Sequence, residues 1–373
     1  MSLSKKRPTL LRFILCLFIG LLIAGAVLMA AQPMYEAFIG KSLLREPFFI
    51  LAAAAALVIA VFLVFPARKP WRLFKWLFRL VVLAIVVALI FGIGGFWQAQ
   101  NDMLYHPGRR ELNAEAALKE DPRAEEITIE GAQGQRWHGF MFMPQPGQAG
   151  LVLYFGGNGE LAAGRVHTLV RDNLAQLLGG YHFMMVDYPG YGQSTGEPEE
   201  ATVLAMARAA LDYARSRPDV LKDRIVIAGW SLGSVPAAAL AADNTAAGLI
   251  LMSPPYNGRE LVNGYVQSAF HAKDAFYTRV PGFLVRNKFP IDSYARQTAI
   301  PALIISGRAD EMIPHSQAER LSALYQKGSL LTLEGGHAAP WSEQASAQAI
   351  TQFLAGVADG TLNTEQVTQL TLP

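Results

Sequence analysis

Cysteine is all but absent: the 373-residue chain has one, Cys16. A single thiol supports neither a disulfide framework nor a cysteine zinc site. The seven histidines do not gather with acidic residues at metal-ligand spacing, so no metal is expected. No repeat is present, and no Gly-Lys-Ser/Thr follows a glycine-rich loop, which removes a phosphate-loop reading. No cofactor is expected. Met184, Met185 and Trp230 are read as core residues rather than cofactor contacts.

Charge is scarce and unevenly placed. Residues 1–100 hold 11 basic and 2 acidic side chains of the chain's 32 and 30, which leaves 21 and 28 for residues 101–373. A nearly neutral total thus hides a basic first part and a mildly acidic remainder. That acidic balance argues against nucleic acid as a partner.

Three apolar stretches, Phe13–Ala31, Phe48–Phe65 and Leu80–Trp97, carry no charge and are close to membrane-spanning length. They are expected to form a membrane anchor over residues 1–100. A cleaved signal peptide is not favoured, because no clear cleavage context leads into a mature domain and further apolar segments follow. Lys5, Lys6, Arg7 and Arg12 precede the first stretch; Arg68, Lys69, Arg72, Lys75 and Arg79 separate the second from the third. The positive-inside rule then places the N-terminus in the cytoplasm and the remainder across the membrane, the periplasm in a bacterium. A re-entrant second stretch would reverse this.

Residues 101–125 read as a polar connector with a turn at Tyr105-His106-Pro107-Gly108. From 126 onward, apolar runs of strand length alternate with helical patterns. That rhythm predicts an α/β fold: a mostly parallel sheet with helices on both faces, opened by an antiparallel hairpin.

One strand–turn–helix junction carries chemistry. Arg224–Ala228 is apolar, a helical run begins at Ser234, and Gly229-Trp230-Ser231-Leu232-Gly233 lies between. A serine on such a turn has its oxygen exposed, and side chains two positions away on either side would collide. Ser231 is the candidate nucleophile.

An acid and a histidine follow in order. The apolar run 301–306 leads to Asp310, and 330–333 leads to Glu334-Gly335-Gly336-His337. Each lies just past the carboxyl end of an expected strand, where open α/β sheets place their chemistry. The order Ser231, Asp310, His337 is that of the α/β-hydrolases. His337 would take the Ser231 proton and Asp310 would orient the imidazole. Glu311 is an alternative acid, and Asp274 and Asp292 are weaker ones. The oxyanion would need two donors: the backbone N–H of Leu232, and the N–H of Asn158 in the loop Gly156-Gly157-Asn158-Gly159-Glu160. A plain tight turn before a helix is the competing reading of that loop.

Residues 125–355 resemble the α/β-hydrolase superfamily, within it a membrane-anchored branch related to serine aminopeptidases and protein depalmitoylases. The resemblance rests on Tyr154–Gly159, Val186-Asp187-Tyr188-Pro189-Gly190-Tyr191-Gly192-Gln193-Ser194, the elbow, the Asp310 segment and Gly336-His337. It implies that the second of these pieces helps shape the site. Where the family has His-Gly-Asn, this chain has Gly156-Gly157-Asn158, so support for that loop is the open point.

Residues 256–298 are expected to form a small cap. Its aromatics pack the cap onto the sheet or line an acyl pocket, for which Tyr256, Phe276 and Trp341 are the candidates. The expectation is a membrane-held serine hydrolase acting on an ester or thioester, with a small-molecule or lipidic acyl substrate. A peptidase, or a hydrolase fold serving as a non-catalytic scaffold, is the alternative.

Overall fold

The computed structural model describes residues 70–132, 134–172, 178–269 and 279–362. The chain divides into two units, Met1–Met103 and Leu104–Pro373. All described residues of the first unit lie on one helix, α1 (Pro70–Leu104).

Among the described residues no helix is long and apolar enough to cross a membrane. The expected architecture of three transmembrane helices is therefore overturned. Its first two stretches, 13–31 and 48–65, lie outside the described residues. The third lies within α1, where length and apolarity do not coincide. Arg72, Lys75 and Arg79 make the start of α1 basic, and Gln98, Gln100, Asn101 and Asp102 make its end polar. The charge-free stretch 80–97 between them is at the short end of spanning length, and with those flanks α1 is not long and apolar enough to cross.

The second unit opens with a helix inside the stretch expected as a connector: α2 (Leu112–Glu120) buries Ala114 and Leu118. Then follow β1 (Ala124–Glu130), β2 (Arg136–Phe142), β3 (Ala149–Phe155), α3 (Ala162–Arg171), β4 (His182–Val186), α4 (Glu200–Ser216) and β5 (Val220–Trp230). A short 3-10 turn, Ser231–Gly233, leads into α5 (Ser234–Ala241) and β6 (Gly248–Met252). The cap carries α6 (Gly258–Ala269) and α7 (Ile291–Gln297). The chain continues with β7 (Ala302–Gly307), α8 (His315–Ser322), β8 (Gly328–Leu333), α9 (Ala339–Ser342) and α10 (Gln344–Ala358).

The strands form one sheet in the order β1-β2-β4-β3-β5-β6-β7-β8. β1 and β2 pair antiparallel, β2 meets β4 antiparallel, and all other pairs are parallel. The sequence explains this division. β1 buries alternate residues, as a strand with one wet face does, whereas every residue of β3 is buried. Helices therefore cover both faces of the parallel part. Val152, Tyr154, Val226, Ala228 and Ile250 pack on one face with Leu118, Val166, Ala339 and Phe353 from α2, α3, α9 and α10. On the opposite face α4 turns a single stripe inward, Val203, Met206, Ala207, Ala210, Leu211 and Ala214, the spacing of an amphipathic helix. α5 is buried all round and is built of small residues to fit.

Strand order reverses between β3 and β5, because the chain runs from β3 to β4 on one side and returns to β5 on the other. Loops diverge at such a switch point and leave a crevice at the carboxyl ends of the strands. The Phe155–Gly229 pairing sets the glycine-rich loop after β3 beside the serine elbow after β5.

Leu153, fully buried in β3, supplies a test of this core. Leu153→Ala is expected to cost about 2–5 kcal/mol, while Leu112→Ala, on the surface of α2, stays within about 0.5 kcal/mol. Urea midpoints of the two variants measure the difference.

Candidate active site

The elbow is dictated by close approach of two backbones. Gly233 has an ordinary helical conformation, φ −64° and ψ −16°, so no unusual dihedral demands glycine there. Space does: a Cβ on Gly233 would run into the carbonyl of Phe155, and one on Gly229 would run into the carbonyl of Gly233. Ser231, between them, sits at φ 53°. A non-glycine residue reaches that region only under strain, which the surrounding packing must hold. Leu232 follows as an early residue of the helical turn, where N–H groups have no intrahelical acceptor.

The acid and the histidine come from the loops after β7 and β8, which are laced together. Arg308 N–H donates to Leu333 O (2.8 Å) and Ala309 N–H to Gly335 O (3.1 Å). Asp310 Oδ2 lies 2.7 Å from His337 Nδ1. Its other oxygen accepts the backbone N–H groups of Met312 (2.9 Å) and Ile313 (2.8 Å). The Asp310 side chain is fully buried, and three hydrogen bonds replace the water it has lost. With Asp310 ionised, the proton of neutral His337 belongs on Nδ1, which leaves Nε2 as an acceptor. Of the alternative acids, Glu311 is exposed, Asp292 lies on α7 and Asp274 falls outside the described residues.

The histidine loop is tied to the residue before the serine. Trp230 Nε1 donates to His337 O (3.2 Å), as does Ser253 Oγ (3.1 Å). The Trp230 and His337 rings lie 5.6 Å apart at 33°. The structure thus brings the Ser231, Asp310 and His337 segments together at the carboxyl ends of the strands.

The loop after β3 is braced by groups that sequence reasoning passed over. Gly157 N–H (2.8 Å) and Tyr154 Oη (2.8 Å) both donate to Glu160 Oε2. Tyr188 Oη donates to Gly156 O (2.6 Å). Arg165 pairs with the other Glu160 oxygen, and its guanidinium stacks 3.8 Å over the Trp341 ring. A Cβ on Gly156 would fall 2.5 Å from Met185 Cε and 2.9 Å from Glu160 Oε2. The space that a larger residue would need at 156 is therefore filled by Met185 and the Glu160 carboxylate. Burial, then the Glu160 charge, pushes the Tyr154 hydroxyl well above its ordinary range, so it stays a donor. A glutamate three residues past Gly157, with an arginine five further on, was the signal available in the sequence.

Two of the three acyl-pocket candidates, Tyr256 and Trp341, lie among the described residues. Trp341 packs edge-on against Tyr154 (5.5 Å) and Trp230 (6.4 Å) as part of that brace. Tyr256 has other neighbours: Arg320 lies 3.8 Å over its ring, and its N–H donates to Gln317 Oε1 (2.8 Å). Phe276 lies outside the described residues. Among the described residues no group of three or more metal-ligating side chains is present.

Strand order, elbow and loop placement together define an α/β-hydrolase. Comparison with known proteins agrees. Residues 156–299 match the sequence model of the "Alpha/beta hydrolase family". The uncharacterized protein MT2364 of Mycobacterium tuberculosis is 30% identical over 249 residues, covering 65% of this chain and 82% of that protein. Escherichia coli YfhR is 27% identical over 293 residues, covering 75% and 92%. The Pyrococcus furiosus esterase Pf2001 superposes with a TM-score of 0.52 at 17% identity, covering 68% of this chain and 97% of the esterase; that likeness is one of fold. The chain belongs to the alpha/beta hydrolase family.

The elbow makes its own prediction. Gly233→Ala is expected to lower stability by about 1–3 kcal/mol, because Phe155 belongs to a buried central strand and cannot retreat. Thermal unfolding of the variant checks this, and an unchanged midpoint would contradict the collision.

Proposed function

We propose that this hydrolase is a serine esterase or thioesterase that works through an acyl-enzyme. The observation that carries the reading is the 2.7 Å contact between Asp310 Oδ2 and His337 Nδ1, on a loop tied through Trp230 to the strained Ser231 elbow. Ser231 Oγ attacks the substrate carbonyl carbon while its proton passes to His337 Nε2. The carbonyl oxygen becomes an oxyanion and accepts the N–H groups of Leu232 and Asn158. Collapse expels the alcohol or thiol, which takes the proton from His337, and leaves the acyl group on Ser231. Water then attacks the acyl carbon and gives its proton to His337. The second collapse releases a carboxylic acid, and the proton returns to Ser231 Oγ.

Expectation of a lipidic acyl group leaned on a membrane tether. With the three-span architecture withdrawn, that support is gone. An ester series from p-nitrophenyl acetate to p-nitrophenyl palmitate, run beside acyl thioesters, reads the preference directly.

Ser231→Ala is expected to lower kcat by about 10^6-fold, and Asp310→Asn by about 10^4-fold through loss of the correct histidine tautomer. Steady-state hydrolysis of p-nitrophenyl acetate measures both. Equal turnover by wild type and Ser231→Ala would refute the nucleophile.

A further inference from the structure

A chain segment from outside the sheet grips the loop that would hold the oxyanion. Asn158 Oδ1 accepts the backbone N–H of His106 (2.8 Å) and the hydroxyl of Tyr191 (2.9 Å). Those two donors fill both lone pairs of the carboxamide oxygen. The amide nitrogen lies 2.7 Å from His106 Nδ1, and the Tyr265 hydroxyl of α6 interacts with the same side chain. One side chain thereby collects contacts from the segment before α2, the loop after β4, and the cap.

That segment is itself fixed. Tyr105 is buried, with its ring edge-on to Phe289 at 6.4 Å. Gly108 O accepts the Gly192 N–H (3.3 Å), and a Cβ on Gly108 would come 2.8 Å from Gly159 O. The loop it touches has glycine at 156, 157 and 159, with Gly159 at φ 79°. So flexible a backbone does not hold a donor within the few tenths of an ångström that oxyanion stabilisation requires. Glu160 braces the loop at Gly157, and the Asn158 side chain braces it one residue on.

We propose that His106 and Tyr191 are positioning residues: by closing on the Asn158 carboxamide they aim its backbone N–H at the oxyanion. The proposal rests on the serine-hydrolase reading above. Neither residue touches the reacting atoms. Their effect falls on the transition state, not on substrate binding or on folding.

The experiment compares full-length wild type, Tyr191→Phe, His106→Ala and His106→Asn. Tyr191→Phe removes one hydroxyl from a buried ring, and His106→Ala removes the acceptor for the amide. His106→Asn returns an acceptor near the Nδ1 position. Expected are a fall in kcat of about 10-fold for the first two variants, KM within about twofold, and recovery by His106→Asn. The inhibition constant of a trifluoromethyl ketone, which forms an oxyanion on the serine, should rise by the same factor as kcat/KM falls. Thermal midpoints should stay within about 2 °C of wild type. An active wild type with variants indistinguishable from it would overturn this proposal alone. A fall in kcat that follows the thermal midpoint, with no recovery by His106→Asn, would assign the contacts to folding and overturn it as well. A wild type inert toward both esters and the inhibitor would sink the hydrolase reading and the proposal with it.

Discussion

The contact on which the rest of the site depends is the approach of the elbow backbone to the end of β3. Gly233 lies so close to the Phe155 carbonyl that no side chain fits between them. That contact joins the strands on either side of the switch point. It holds Ser231 in its left-handed conformation and brings the glycine-rich loop within reach of the same crevice. Relaxing it by one methyl group would move the nucleophile and its neighbouring loop together.

Two carboxylates, Asp310 buried and Glu160 partly buried, then set the electrostatics, and each is compensated differently. Asp310 is satisfied by two backbone N–H groups and one imidazole, so its charge faces a group that can take up a proton. Glu160 is satisfied by a backbone N–H, a tyrosine hydroxyl and an arginine, so its charge is already paired and serves to hold the loop. Removing one partner of a buried pair costs more than the pair contributes, because the other charge is left uncompensated. Glu160 and Arg165 are accordingly a rigid brace beneath the loop, with Trp341 covering the guanidinium.

What the sequence makes legible follows from range. The parallel strands are short apolar runs, and the helix stripes are periodic, so both are written locally. The Ser231, Asp310, His337 order is equally local, since each residue follows its own strand. The Glu160 brace is local too, its partners lying within six residues. The hold on Asn158 is not: His106 reaches it from 52 residues away and Tyr191 from 33. No periodicity announces such pairs. The arginines that stack on Trp341 and Tyr256 come from α3 and α8, and aromatic character alone does not announce them either. The third apolar stretch, the one within the described residues, was weighed by its lack of charge, whereas α1 as a whole is not long and apolar enough to cross a membrane.

The central claim is that Ser231 is the acylated nucleophile of a hydrolase, activated by the Asp310–His337 pair. It is tested most directly by treating the full-length protein with a fluorophosphonate and locating the adduct by tandem mass spectrometry. The account predicts one adduct, on the Ser231 oxygen, that forms far more slowly in Asp310→Asn. An adduct on another residue, or none on folded wild-type protein, would contradict it.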